Sequence, residues 1–340
     1  MAEISKNEIK YFQEVLDLIK TSRNNAFKRV NYELINLYWE IGAYLSEKCA
    51  TLGWGNNIVE NLSKFIQKTD PNSIGFSSPN LWRMKQFYET YSEDKKLSLL
   101  VREIGWTNNM IIVAQTKTKG EKEFYLKMTA RENYTKKELQ RQLDSGFYER
   151  AMLSKKNLSL VAREIYPSLY NHVKDYYSLE FLGLKDNYSE NSFQKAILEN
   201  LKEFILEFGK DFLFIQNEFR LQVGNRDYSV DLLFYHRGLN CLVALELKVG
   251  EFKPEYMGKM DFYLGALDKY VKKEHENPSV GIIMCRTKDD NVVEISLNRS
   301  TSPTVISQYE TQLISKELLK AKLTELFENE DIKNKTQQTK

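Results

Sequence analysis

Cysteine, histidine and proline are scarce in this chain of 340 residues, at three, three and six. The cysteines Cys49, Cys241 and Cys285 are odd in number and show no CxxC spacing. That excludes a disulfide framework or a cysteine-based zinc site and fits a reducing compartment. The histidines His172, His236 and His275 lie far apart, and no HExxH, GxSxG or GxxxxGK[ST] pattern occurs. Zincin, α/β-hydrolase and P-loop chemistry therefore have no support. Fifteen glycines beside six prolines exclude collagen-like and low-complexity chains. No apolar run reaches about 18 residues, so no membrane span is expected. The opening residues Met1 to Lys6 carry no signal-peptide hydrophobic region, and a cytoplasmic protein is the expectation. An excess of one charge is also lacking: 49 Lys+Arg stand against 47 Asp+Glu, a net +2. Such a balance argues against a surface that binds polyanions all over, but it leaves room for a local basic patch.

What is present is a core. Hydrophobic residues make up 42% and charged residues 28%, with 20 Tyr and 18 Phe, which is a foldable and aromatic-rich composition. Two textures follow one another. Up to about residue 150 the pattern is helical. Ile9, Phe12, Val15, Leu16 and Ile19 recur at steps of three and four, and after a polar break at 21–25 so do Tyr32, Ile35, Trp39 and Ala43. Further helices are expected at 57–68, ended by Pro71, and from Ser78-Pro79 through Leu81, Met84, Tyr88 and Tyr91. This part carries 23 Lys+Arg against 19 Asp+Glu, and the remainder 26 against 28. The sign of that difference fits a nucleic-acid partner on the N-terminal side. The spacing predicts a helix-turn-helix-type arrangement whose second helix presents Asn80, Arg83 and Lys85. Asn and Arg are the side chains that read adenine and guanine edges in bidentate fashion.

From residue 192 the order is helix, three strands, helix, strand. The helical stripe is Phe193, Ile197, Leu201, Phe204 and Phe208. The strands are 212–223, 227–236 and 241–249, a helix spans 254–275, and a short apolar strand covers 280–285. This is a mixed α/β sheet with flanking helices, so the chain as a whole is α+β. The expected domains are 1–160, helical and DNA-binding; 161–190, a tyrosine-rich connector; 191–328, the sheet domain; and 329–340, a frayed polar tail.

Three residues carry the chemistry. Asp231 precedes the run Leu232-Leu233-Phe234-Tyr235. Glu246 and Lys248 stand two apart in an otherwise apolar strand and so project on one face. Charges there are costly to bury unless paired or metal-bound. Antiparallel neighbours would bring Asp231 beside Glu246, and two carboxylates so placed repel unless a divalent cation sits between them. Such a cation polarises a phosphate and activates water, and a lysine nearby orients that water or stabilises developing charge.

The series Val230-Asp231-Leu232-Leu233-Phe234-Tyr235-His236, Glu246-Leu247-Lys248-Val249-Gly250, Phe252-Lys253-Pro254-Glu255-Tyr256 and Gly258-Lys259-Met260 resembles the YhcG-like family of bacterial PD-(D/E)XK nuclease-domain proteins. So do Leu37-Tyr38-Trp39-Glu40-Ile41-Gly42 and Asn80-Leu81-Trp82-Arg83-Met84 in the first half. The resemblance implies an N-terminal all-helical, winged-helix-like DNA-binding domain joined to a restriction-endonuclease-like sheet. It implies Mg²⁺-dependent hydrolysis of DNA, with Mn²⁺ as substitute. Asp231 and Glu246 would hold the metal, and Lys248 would serve the water. The "PD" proline is replaced by Val230. An accessory Glu of the family falls at Gln194, and a Gln of its first strand at Glu218. The Gln–Tyr pair of related nucleases falls at Lys259 and Tyr263, which suggests phosphate contact by a cation. DNA is the implied partner, no membrane is, and genome defence, restriction-linked or repair roles follow from the family. A homodimer, restriction-modification partners and a non-catalytic DNA-binding scaffold stay open.

Overall fold

The computed structural model describes residues 6–154, 157–185 and 187–325. The expected polar tail at 329–340 lies outside the described residues. The chain forms two compact units that divide after Arg141.

The first unit is helical: α1 (Lys6–Leu52), α2 (Asn56–Thr69), α3 (Ser78–Tyr91), α4 (Lys95–Leu100), α5 (Trp106–Gln115), α6 (Lys119–Glu132) and α7 (Lys136–Asp144), the last spanning the division. No β-strand occurs among the described residues before β1 of the second unit, so the winged-helix likeness extends to helices alone. The polar stretch 21–25 does not break α1, because it holds neither Gly nor Pro and polar residues alone cost a helix little. Tyr38, Leu45, Val59, Leu81 and Met84 form its core. α1 meets α3 at Gly42, where a Cβ would stand 2.2 Å from the Met84 carbonyl oxygen. Only glycine permits that approach.

The second unit continues with α8 (Phe147–Leu153), α9 (Leu160–Ile165), α10 (Leu169–His172), β1 (Tyr176–Ser178), α11 (Glu190–Glu199), α12 (Leu201–Phe208), β2 (Phe212–Val223), β3 (Arg226–His236), β4 (Cys241–Leu247), α13 (Glu255–Tyr270), β5 (Asn277–Cys285), α14 (Asp290–Asn298) and β6 (Thr304–Glu310). Its sheet runs β1-β6-β5-β4-β3-β2. β2, β3 and β4 are antiparallel neighbours, whereas β4, β5, β6 and β1 are parallel. The turn between β2 and β3 places Gly224 at φ 62°, a conformation glycine adopts freely in tight hairpins.

β4 is the central strand, and all seven of its residues are buried. Two cores flank it. On one face Leu232, Phe234, Val243 and Leu245 pack with Phe193 and Ile197 of α11 and Phe204 and Phe208 of α12. On the other, Leu233, Ala244, Ile283 and Ile306 pack with Met260, Leu264 and Leu267 of α13. Each such fully buried side chain contributes about 1.5–3 kcal/mol, which fixes β4 and whatever it carries. The stretch 161–190, expected as a connector, belongs to this unit. Ala162, Tyr166, Leu169, Tyr177 and Leu182 lie in the first of these cores, so it is held by apolar burial.

Candidate active site

Glu246 and Lys248 stand at the C-terminal end of β4, 2% and 8% exposed. The β3–β4 ladder ends at Leu232 opposite Leu245. Asp231 and Glu246 are the next residues on the two strands, so the sheet register itself brings the carboxylates together. Asp231 Oδ2 accepts the Leu247 N–H at 2.8 Å. Lys248 is fixed through its backbone: its N–H donates to Met284 O at 2.8 Å and its carbonyl accepts from Tyr309 Oη at 3.2 Å.

The side chains form a charge cluster. Lys248 Nζ lies 3.0 Å from Glu246 Oε1 and donates to Glu190 Oε2 at 3.0 Å. Lys259, from α13, also donates to Glu246 Oε1. Glu246 Oε2 is buried with no hydrogen-bond partner among the described residues. A buried carboxylate oxygen without a partner is a costly group that a cation would satisfy.

The electrostatics agree with this. Burial pushes Asp231 up to about 6, with the charge of Glu246 adding to it against the Leu247 N–H and the two lysines. Burial alone would lower the Lys248 ammonium, but Glu246 and Glu190 outweigh it and hold it above the ordinary lysine range. Lys259 is likewise raised, its bond to Glu246 overcoming burial. The site therefore holds two carboxylates that disfavour each other and two firmly charged ammonium groups.

The residues expected at accessory positions take different places. Gln194 on α11 donates from Nε2 to the Asp231 carbonyl at 2.9 Å. Opposite Asp231 the β2–β3 ladder is interrupted: Asn217 pairs with Leu232 and Phe219 with Val230, and Glu218 between them has φ 47°. Gln194 thus satisfies the carbonyl at that break. Glu218 is exposed, and no hydrogen bond joins it to Gln194 among the described residues. A non-glycine residue in left-handed backbone costs on the order of 1–3 kcal/mol and is characteristic of functional sites. Tyr263 Oη donates to the Ser229 carbonyl at 2.6 Å and so ties α13 to β3 two residues before Asp231. Lys259 lies over the Tyr263 ring at 5.3 Å.

One site residue escaped the sequence reading. Glu190, on the first turn of α11, supplies the carboxylate that reaches Lys248. It precedes Gln194 by four residues, one helical turn on the same face, and that spacing was the available signal.

In the first unit the three expected DNA contacts diverge. Asn80 Nδ2 donates to Gly75 O at 2.5 Å, and its Oδ1 accepts from Trp106 Nε1 at 3.0 Å. Its amide is engaged at both ends and is not free to read a base. Lys85 pairs with Glu89 at 2.7 Å and lies over Trp82. Arg83 is exposed and has no partner among the described residues.

A second candidate cluster, His172, Asp211 and His236, brings ligand atoms within 4.8 Å of one another at the far end of β3. His236 Nδ1, however, accepts the Leu239 N–H at 3.0 Å. The neutral ring then carries its proton on Nε2, which leaves that nitrogen unable to ligate a metal. Cys241 and Cys285 are buried, and burial pushes both thiols up to about 12, so they are inert.

Residues 14–150 match the DUF1016 N-terminal domain and residues 170–324 the YhcG PDDEXK nuclease domain. The chain is 28% identical over 353 residues to "Putative nuclease YhcG" of Escherichia coli (strain K12), covering 92% of this chain and 94% of that one. Two solved structures share 18% identity over 38% of this chain, each at a TM-score of 0.27: a repair endonuclease from Pyrococcus abyssi and an EndoMS–dsDNA complex. The match spans about half the length of each, 50% and 48%. No described helix is long and apolar enough to cross a membrane. The chain joins a DUF1016 N-terminal domain to a YhcG PDDEXK nuclease domain, and it belongs to the YhcG-like family of PD-(D/E)XK nuclease-domain proteins.

Proposed function

We propose that the protein is a Mg²⁺-dependent DNA nuclease of the PD-(D/E)XK type, with Asp231, Glu246 and Lys248 as its catalytic residues and Mn²⁺ as an effective substitute. The observation that carries this reading is the buried, partnerless Glu246 Oε2 beside Asp231, at a strand end where Lys248 is already charged. The donor set suits the metal: Mg²⁺ takes one or two protein carboxylates and fills its remaining positions with waters and phosphate oxygens. Glu246 and Asp231 would hold it. When bound, it supplies Lewis-acid polarisation of the phosphodiester and a more acidic water.

The chain's own groups do the rest. Leu247 N–H and Gln194 orient Asp231 from two sides. Lys248 presents a permanent positive charge where negative charge develops on the phosphate, an electrostatic role worth roughly 10²–10³ in rate for a single donor. Glu190 holds Lys248 in place from the helix side. Lys259, half-exposed, offers a second cation to a phosphate. The DUF1016 domain would position DNA, with Arg83 its exposed candidate contact, and DNA-processing partner proteins are consistent with the two-domain design. A cytoplasmic location accords with the buried free thiols.

Supercoiled plasmid incubated with purified protein tests this. Nicked or linear product is expected with Mg²⁺ or Mn²⁺, none with EDTA, and a large loss in Lys248→Ala. Binding of DNA without cleavage under every divalent ion would instead identify a scaffold, and unchanged cleavage by Lys248→Ala would remove the site assignment.

A further inference from the structure

Helix α1 is 47 residues long, about 70 Å at 1.5 Å per residue. Its C-terminal half is docked. Asn31 Nδ2 donates to the carbonyls of Arg102 and Ile104 at 3.4 and 3.2 Å, and Ile35 and Leu45 are fully buried. Before Asn31, every described side chain from Tyr11 to Val30 is exposed. A helix in water draws most of its stability from packing an apolar face, and among the described residues this stretch packs on nothing.

Its apolar residues nevertheless follow one line. Phe12, Leu16 and Ile19 lead to Phe27 and Val30, which are 75% and 68% exposed. Leu34, Leu37, Ile41 and Tyr44 continue the line at steps of three and four, with Arg23 its one polar member. Spacing slightly above 3.5 keeps these positions on one side of the helix along its whole length.

The two halves of the stripe differ in shape. The N-terminal half is a bare ridge. The C-terminal half borders a groove of about 330 Å³, lined by Leu37, Ile41 and Tyr44 with Leu62 and Ile66 of α2. Reversed about a centre near residue 28, the stripe positions fall on one another to within one residue. An antiparallel second copy therefore sets Phe12 against Tyr44, Leu16 against Ile41, Ile19 against Leu37 and Phe27 against Val30. Each ridge enters the other's groove, whereas a parallel pair would set ridge on ridge and leave both grooves open.

We propose that α1 is a dimerisation element and that the occupant of its apolar stripe is α1 of a second copy of this chain, antiparallel and two-fold symmetric. Area supports a stable pair. Eight of the stripe's large side chains are on average about half exposed, so they offer on the order of several hundred Å² per protomer, which approaches the roughly 800 Å² per partner of a standard interface. The contact is isologous, so a single substitution acts twice. The inference does not depend on the nuclease site.

Sedimentation of the full chain at micromolar concentration tests it. Wild type should run at twice the chain mass of 40.0 kDa. Val30→Glu should run at the single-chain mass with unchanged far-ultraviolet circular dichroism, because Val30 is exposed among the described residues. Leu18→Glu, exposed on another side of α1, should remain dimeric. A monomeric wild type, or a dimeric Val30→Glu, overturns the proposal. In a Cys49→Ser background, Phe12→Cys combined with Tyr44→Cys should cross-link into dimers and Phe12→Cys alone should not. Cross-linking by Phe12→Cys alone would mean parallel helices and would overturn the antiparallel pairing.

Discussion

Asp231→Asn should make the metal-free protein more stable while abolishing its activity. The carboxyl is raised from 3.8 to about 6 by burial and by the charge of Glu246. A folded-state value above the unfolded one means that the native state holds the proton more tightly. The associated stability is fully present below about pH 3.8, is lost as pH rises through about 6, and stays lost above it. Two units correspond to at most about 3 kcal/mol at pH 7, and partial exposure of Asp231 makes about 1–3 kcal/mol the working range. Asn removes the charge, and its Oδ1 can still accept the Leu247 N–H. For a unit of this size the shift amounts to roughly 2–10 °C in Tm. Calorimetry in EDTA from pH 4 to 8 is the suitable assay, since Trp39, Trp54, Trp82 and Trp106, the chain's four tryptophans, all lie in the first unit. The advantage of Asn should vanish near pH 4. It should shrink at pH 7 when Mg²⁺ is added, because a ligand at ten times its Kd returns about 1.4 kcal/mol to the wild type. An Asn variant that is less stable than wild type at pH 7 in EDTA, or an advantage that does not depend on pH, would refute the reasoning.

Three further perturbations probe other parts of the chain. Gly42→Ala should destabilise the first unit by several kcal/mol, because the new methyl meets the backbone oxygen of Met84, which no rotamer change can move away; a fall of the tryptophan-reported transition checks it, and a neutral effect would contradict the packing. Glu207 is fully buried; Gln142 Nε2 donates to it at 3.0 Å, and it forms ion pairs with Lys174 Nζ at 3.1 Å and Arg150 Nη1 at 3.6 Å. Glu207→Ala strands those cations and should cost about 3–5 kcal/mol in denaturant unfolding of the second unit, whereas a loss under 1 kcal/mol would show that the charges relax. Glu190→Gln should slow cleavage less than Lys248→Ala and leave metal affinity nearly intact, since Glu190 touches the lysine and not the other carboxylates; a metal-binding defect as large as that of Glu246→Gln would place Glu190 among the ligands.

The site was legible because its residues break a pattern. Glu246 and Lys248 interrupt a strand buried on both faces, and Asp231 stands on the neighbouring antiparallel strand. β2 to β5 were visible for the same reason, being apolar, β-branched and bounded by turn residues. β6 and β1 were not. Thr304–Glu310 is half polar, β1 is three residues long, and they pair in parallel across more than a hundred residues of chain, which no local pattern encodes. Helices α11 and α12 read as one because Phe193, Ile197, Leu201, Phe204 and Phe208 keep helical period through Asn200, where the backbone leaves the helix at φ −115°. Asn80 looked like a base reader because its type and place at a helix start suit that role, while the bonds to Gly75 and Trp106 depend on tertiary position. Gln194 and Glu190 share one helical face, yet periodicity alone does not say which turn lies over the strand end.

The most direct test of the central claim is the single-turnover cleavage rate of a labelled duplex DNA with enzyme in excess and Mg²⁺ or Mn²⁺ present, measured for wild type and Glu246→Gln. Gln keeps the shape and a carbonyl oxygen but removes the charge that would hold the cation. The expected result is metal-dependent cleavage by wild type and a fall of at least about 100-fold in the variant, with its fold intact by circular dichroism. Cleavage by Glu246→Gln within a few-fold of wild type would contradict the account.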